Sequence, residues 1–170
     1  RRMRREIGYA REDVMGHEIR GHTVGLVGIG HIGRRVAALA RAFGMDVIAT
    51  DPLLSADEIE RRGARPVSFE ELLAQADFVS LHCPRDKSTL RMMNADAFAR
   101  MKKGAIFVTT ARGGVHDEAA LVQALKSGHL AGAGIDFVID ARITLDRAAQ
   151  LRRGCALREL DGLGANTGVA

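Results

Sequence analysis

The sequence has no tryptophan, one tyrosine, three prolines and two cysteines in 170 residues. So few aromatic rings leave no stacking platform for single-stranded nucleic acid. Cys83 and Cys155 lie too far apart for a metal-ligand spacing and too few in number for a secreted disulfide framework, so no metal site is expected. No apolar run is long enough to span a bilayer, and the arginine-rich start lacks the apolar segment of a signal peptide. The expectation is a cytoplasmic protein with no membrane partner. A one-signed charge field is also missing. Of 25 basic side chains, four are Arg1, Arg2, Arg4 and Arg5, and the remaining 21 balance the 21 acidic ones. The net charge of +4 therefore belongs to one short terminus and gives no reason to expect a nucleic-acid surface.

What is present suits one domain with its own core: 46% apolar and 27% charged residues, and 19 glycines. Those glycines carry the main signal. The apolar run Thr23-Val24-Gly25-Leu26-Val27 ends at Gly28-Ile29-Gly30-His31-Ile32-Gly33, and apolar residues at helical spacing follow at Ile32, Val36, Leu39, Ala40 and Phe43. Strand, glycine turn and helix are the setting in which G-x-G-x-x-G binds a dinucleotide. Gly28 permits the tight turn, Gly30 lets the backbone approach a pyrophosphate, and Gly33 lets the helix pack close to the strand. His31 and Ile32 lie within the turn and contribute chiefly backbone N–H groups to the phosphates. Val47-Ile48-Ala49-Thr50 reads as a second strand, and it ends in Asp51, eighteen residues beyond Gly33. A carboxylate there accepts hydrogen bonds from the adenosine ribose and repels a 2′-phosphate, and neighbouring Pro52 and Leu53 supply no cation to compensate. The expected cofactor is NAD(H) rather than NADP(H).

The rest of the chain continues the alternation. Residues 1–13 suit a helix or linker, with Met3, Ile7 and Ala10 on one side. Gly44 stands where a helix C-terminal glycine belongs. Ser55 with Glu58, and Ser68 with Glu71, are capping-box patterns that start two further helices. Arg65-Pro66-Val67 between them is edge-like, because proline cannot donate to a ladder. Phe78–Leu81, Ala105–Val108 and Leu130–Asp136 read as strands, with a helix capped by Asn94 and another directing Leu121, Val122 and Leu125 inward. Strands that are apolar throughout and alternate with helices predict an α/β fold, a doubly wound parallel sheet covered on both faces, with ligands at its C-terminal strand ends. Residues 14–136 would form this Rossmann-type domain. Residues 137–170 contain no proline and no clean strand pattern, and form an atypical tail.

Several separate motifs, in order, closely resemble the NAD-binding domain of the D-isomer-specific 2-hydroxyacid dehydrogenases, which include phosphoglycerate dehydrogenases and glyoxylate/hydroxypyruvate reductases. They are Gly21–Gly33, Thr50-Asp51-Pro52, Leu81-His82-Cys83-Pro84 with Thr89, Met101–Ala105, Ala111-Arg112-Gly113-Gly114-Val115-His116-Asp117-Glu118 and Gly132–Asp136. The resemblance implies hydride transfer between NAD(H) and a small D-2-hydroxy or 2-oxo acid bound between two domains, in a protein that pairs through this domain as a homodimer. It implies that Arg112 binds the substrate carboxylate and polarises its carbonyl. It implies that Cys83, Pro84, Thr89, Thr110, Ala111 and Arg112 line the cofactor and that Asp136 orients the nicotinamide carboxamide. His31, His82 and His116 match no catalytic histidine: His82 reads as a satisfied structural residue and His116 as partly exposed at a helix start.

The departures lie at the end of the chain and at one strand. The position of the family's glutamate falls near Ala141, beside the shorter Asp140, no histidine follows His129, and Thr109 replaces the asparagine before the arginine motif. Asn166 is the nearest echo of the acid/base histidine and cannot exchange a proton near neutral pH. The substrate domain has no counterpart in these residues. Two function classes follow: the cofactor domain of a dehydrogenase, inactive as this chain alone, or a non-catalytic NAD(H)-binding sensor or scaffold derived from that family. A third reading makes residues 137–170 a frame-shifted or eroded tail.

Overall fold

A computed structural model describes residues 18–136; the N-terminal helix expected over residues 1–13 and the tail over residues 137–170, with Asp140, Ala141 and Asn166, lie outside the described residues. The order is β1 (Thr23–Val27), α1 (Gly33–Ala42), β2 (Asp46–Thr50), α2 (Ala56–Arg61), β3 (Arg65–Pro66), α3 (Phe69–Gln75), β4 (Phe78–Leu81), α4 (Ala95–Arg100), β5 (Ile106–Thr109), α5 (Glu118–Lys126) and β6 (Gly132–Ile135). The strands form one sheet in the order β3-β2-β1-β4-β5-β6, and every pairing is parallel. This is the doubly wound dinucleotide-binding order. The chain winds outward from β1 to β3, returns through α3 to β4 beside β1, and winds outward again.

Local chemistry sets the helix ends. Ser68 accepts from Glu71 N–H at 3.2 Å while the Glu71 carboxylate takes the Ser68 N–H at 2.9 Å, a complete capping box. At α2 only half of the expected box forms. Ser55 Oγ accepts from Glu58 N–H at 3.3 Å, but the Glu58 carboxylate is drawn instead to Arg61 and Arg62. Asn94 and Asp117 cap α4 and α5 through the amides of Ala97 and Ala120, each at 3.0 Å. Gly44 stands past the end of α1 at φ 76°, a left-handed conformation that closes a helix C-terminus at little cost only for glycine.

Two apolar clusters cover the sheet. Val24, Leu26, Val47 and Ala49 join Ala37, Ala40 and Ile59 of α1 and α2. Val27, Ile48, Val79, Leu81 and Phe107 join Leu72, Phe98 and Leu121 of α3, α4 and α5. Phe98 meets Phe107 edge-on, with centroids 5.2 Å apart. Burying each such large side chain contributes about 1.5–3 kcal/mol. The inward face of α1 is made of Gly33, Ala37 and Ala40, whereas Ile32, Leu39 and Phe43 of the helical pattern are exposed. Close approach explains the choice. A Cβ on Gly33 would sit 2.3 Å from the Gly28 carbonyl oxygen, so only small residues fit under this helix. Gly25 serves α3 in the same way, since a Cβ there would meet Leu72 at 2.6 Å and Ala76 at 2.9 Å.

Candidate functional site

β1 and β4 are neighbours whose outgoing connections run to opposite sides of the sheet, which opens a crevice at their C-terminal ends. Gly28 occupies that point at φ 90°, with its N–H donating to Thr50 O at 2.9 Å. A Cβ on it would press on the His82–Cys83 backbone at 3.1 Å. Beyond Gly28 the turn opens: a Cβ on Gly30 would meet nothing within 4 Å. The N-cap of α1, Ile32, offers no side-chain cap, and the first turn carries no acidic residue. Unfilled amides and the positive end of the helix dipole thus face open space, which is what an anion requires. His31 is exposed and accepts from the Arg34 guanidinium at 3.3 Å through Nδ1.

The turn is held by side chains from two other elements. Asp51 accepts the Ile29 N–H at 3.0 Å through Oδ2 and the Leu53 N–H at 3.1 Å through Oδ1. A carboxylate has about four acceptor positions, so two remain for ribose hydroxyls. From the C-cap of α2, Arg62 donates to the Ile29 carbonyl at 2.9 Å. Sequence reasoning missed Arg62, because an arginine at the end of a short helix has the pattern of an ordinary solvated cation.

A cleft of about 500 Å³ continues from the turn. It is lined by Ile32 from the glycine turn, by Leu81 to Arg85 at the end of β4, and by Thr110, Ala111 and Arg112 after β5. The structure therefore brings together Ile32, Cys83, Pro84, Thr110, Ala111 and Arg112 from the expected set, and adds Leu81, His82 and Arg85. Thr89 is not in the lining. Its hydroxyl donates to Pro84 O and accepts from Asp86 N–H, each at 2.8 Å, which fixes the turn carrying Arg85. Asp136 stands exposed just past β6, its N–H bonded to Thr109 O at 3.1 Å.

Arg112 projects from a loop that is tied down on both sides. Thr109 is buried, and its hydroxyl accepts the Ala111 N–H at 3.2 Å. Behind the arginine, Arg91 N–H bonds Gly114 O at 2.8 Å and Asp117 N–H bonds Met93 O at 2.9 Å. Arg91 adopts φ 51°, unusual for a non-glycine residue, to make that bond. The same pairing draws His116 inside. It is 3% exposed and tilted against Phe107 with centroids 5.8 Å apart, not at the surface as its place before a helix suggested.

Burial governs the titration of two groups in the cleft lining. It lowers the pKa of His82 and raises that of the Cys83 thiol. His82 is neutral at pH 7, pairs with Ser80 Oγ at 3.0 Å through Nε2, and keeps a buried Nδ1 without a hydrogen bond. Its satisfaction is thus half of what the sequence suggested. A protonated thiol is a poor nucleophile, so Cys83 contributes shape rather than reactivity.

Residues 1–153 match the family described as D-isomer specific 2-hydroxyacid dehydrogenase, NAD binding domain. The chain belongs to this family. It is 44% identical over 122 residues to the D-3-phosphoglycerate dehydrogenase of Bacillus subtilis (strain 168), covering 72% of this chain and 23% of that protein. A glyoxylate reductase structure from Paecilomyes thermophila matches with a TM-score of 0.70 and 44% identity, over 76% of this chain and 39% of that one. The NAD-complexed D-isomer specific 2-hydroxyacid dehydrogenase of Lactobacillus delbrueckii ssp. bulgaricus matches with a TM-score of 0.69 and 37% identity, over 77% and 39%. The chain therefore spans about a quarter of the length of the curated relatives it matches. The comparisons lend no support to the sensor or scaffold reading. The cofactor is NAD, and the open space at Gly30 above unfilled amides, followed by the cleft, fits it.

Proposed function

We propose that this domain serves a D-2-hydroxyacid dehydrogenase that interconverts a small 2-hydroxy acid and its 2-oxo acid. The observation that carries this is Arg112, exposed in the cleft that runs on from the glycine turn. Bound NAD(H) supplies the hydride. Gly28, Gly30 and Gly33, with the amides of His31 and Ile32, hold the pyrophosphate, and Asp51 holds the adenosine ribose. Cys83, Pro84, Thr110 and Ala111 shape the nicotinamide half, Thr89 acts only by fixing the turn that carries Pro84 and Arg85, and Asp136 orients the carboxamide. The planar guanidinium of Arg112 grips a carboxylate through two hydrogen bonds and draws electron density from the adjacent carbonyl as hydride arrives.

We place the dinucleotide-binding unit at residues 14–136, in a cytoplasmic homodimer. The exposed Leu39 and Phe43 at the C-terminal end of α1, away from the cleft, favour self-association, because neighbouring large apolar groups on one helix face call for cover. Light scattering across a concentration series checks this, and a monomer throughout contradicts it.

The 170-residue chain by itself is proposed to be inactive. Reduction of a carbonyl needs a proton delivered to the developing alkoxide, and a placed general acid contributes about 10²–10⁴-fold. No histidine follows His129, whose Nε2 is 2.9 Å from Met101 O, in the segment leading into β6 at the end opposite the cleft. NADH fluorescence titration tests the binding half of the proposal. NADH absorbance with glyoxylate, hydroxypyruvate or phosphohydroxypyruvate tests the catalytic half, where turnover near 1–10³ per second, the ordinary enzyme range, would contradict the inactivity.

A further inference from the structure

The backbone of Ile29 is gripped at both ends by side chains remote in sequence. Its N–H goes to Asp51 at 3.0 Å and its C=O to Arg62 Nη1 at 2.9 Å. Arg62 is itself fixed, because Nε and Nη2 donate to Glu58 Oε1 at 3.0 and 2.9 Å. Glu58 lies one helical turn earlier, in an α2 whose start is set by Ser55 and whose end is followed by Gly63 at φ 89°. The length of α2 thus delivers one guanidinium to one carbonyl of the glycine turn.

The consequence follows from peptide geometry. The C=O and N–H of a trans peptide point in opposite directions, and no cis bond is present among the described residues. Drawing the Ile29 carbonyl toward α2 turns the Gly30 N–H the other way, at a residue on which a Cβ would meet nothing within 4 Å. We propose that Arg62, tethered by Glu58, is a positioning residue that sets the Ile29–Gly30 peptide so that the Gly30 N–H faces the pyrophosphate. This rests on the cofactor reading above. Arg62 does not touch the cofactor; it presets an amide that does, so the turn need not reorganise when the anion arrives.

A purely structural role, satisfying a buried carbonyl, would lower stability and weaken all ligands alike. The positioning role weakens only ligands that carry the pyrophosphate. The test therefore uses the 170-residue chain and its R62M, R62K and E58Q variants, with NADH, ADP-ribose and adenosine as probes and a thermal melt of each protein. R62M is expected to bind NADH and ADP-ribose on the order of tenfold more weakly, the loss of one charge-assisted hydrogen bond, while adenosine binding stays unchanged. R62K restores part of the affinity, since an ammonium reaches the carbonyl without the guanidinium's fixed fork. E58Q falls between, with Arg62 present but loosely held. ADP-ribose binding to R62M as tight as to the unmutated chain overturns the proposal, as does equal weakening of ADP-ribose and adenosine. If R62M does not fold, E58Q decides, and unchanged ADP-ribose binding by E58Q overturns it. An unmutated chain that binds neither NADH nor ADP-ribose instead removes the cofactor reading, and the proposal with it.

Discussion

The Asp51 carboxylate, at the end of β2, holds the Ile29 amide at 3.0 Å. The acid expected to meet the adenosine ribose is therefore also a strut of the phosphate turn.

That double duty sharpens what removal of the carboxylate should do. D51A loses the ribose acceptor and releases the Ile29 and Leu53 amides together. NADH binding is expected to weaken by about 1–3 kcal/mol, the scale for hydrogen bonds to a charged group, with a lower melting temperature even without cofactor. Fluorescence titration with both nicotinamide cofactors checks this. Tighter binding of NADPH than of NADH by the unmutated protein would contradict the role given to Asp51.

Arg112 permits a cleaner separation. Its side chain is exposed, and the loop beneath it is held by Thr109 and by the bonds that Met93 and Arg91 make, not by the guanidinium. R112A should therefore leave the melting temperature and NADH affinity almost unchanged and abolish binding of a 2-oxo acid analogue such as oxamate in the presence of NADH. R112K should recover little, since a point charge lacks the planar fork. Calorimetry on the NADH-loaded protein reads both. Equal oxamate binding by R112A would remove Arg112 from the substrate role.

Much of this arrangement was legible in the residues, and the exceptions share a cause. The strand from Phe78 to Leu81, the glycine turn and the caps Ser68 and Asn94 follow from signals a few residues apart, and each forms where the pattern places it. The strand expected at Ala105–Val108 forms one residue later, at Ile106–Thr109. The failures are long-range. Nothing near Arg62 announces a carbonyl 33 positions away. Leu39 and Phe43 are exposed although apolar, because the space under α1 is set by Gly33 against Gly28 rather than by hydrophobicity. His116 is buried because its neighbours pair with Met93, a partner that no local pattern supplies. Thr109, where the resemblance led to the expectation of asparagine, ties its loop through its hydroxyl, a contact that shows only in three dimensions.

Acid should reveal a second strut, at the opposite end of the sheet. Asp77 accepts the Thr23 N–H at 2.8 Å and Lys102 Nζ at 2.5 Å, with His22 at 3.4 Å. Burial pushes its pKa up, but the Lys102 and Thr23 hydrogen bonds outweigh burial and leave it below the ordinary 3.8. A carboxyl with a depressed folded-state pKa stabilises the fold fully above its unfolded value, and that contribution disappears as pH falls through the folded value. Urea midpoints should therefore fall as pH drops below the ordinary aspartate range. D77N should be less stable at neutral pH, by about 1–3 kcal/mol for the lost charged bonds, and less acid-sensitive over that window. Parallel midpoint curves for the two proteins would show that Asp77 contributes nothing to the acid limb.

The two later glycines of the turn should separate folding from binding. Gly33 has no room: a Cβ there lies 2.3 Å from a backbone oxygen, which cannot rotate away as a side chain can. G33A must push α1 off β1, and overpacking of this kind costs about 1–3 kcal/mol, so its melting temperature should fall by several degrees. Gly30 has room to spare in the empty protein, with nothing within 4 Å of an added Cβ and no positive φ to strain an alanine. G30A should melt at the temperature of the unmutated chain or slightly above it, because alanine restricts the unfolded chain. Its methyl group, however, would occupy the space through which a pyrophosphate must approach the amides. NADH binding by G30A should consequently be the weaker of the two relative to stability: a fully folded protein with affinity reduced by tenfold or more, on the order of 1.4 kcal/mol. Thermal melts and NADH titrations on both variants decide it. G30A binding NADH as tightly as the unmutated chain would mean that the phosphates do not come to this turn.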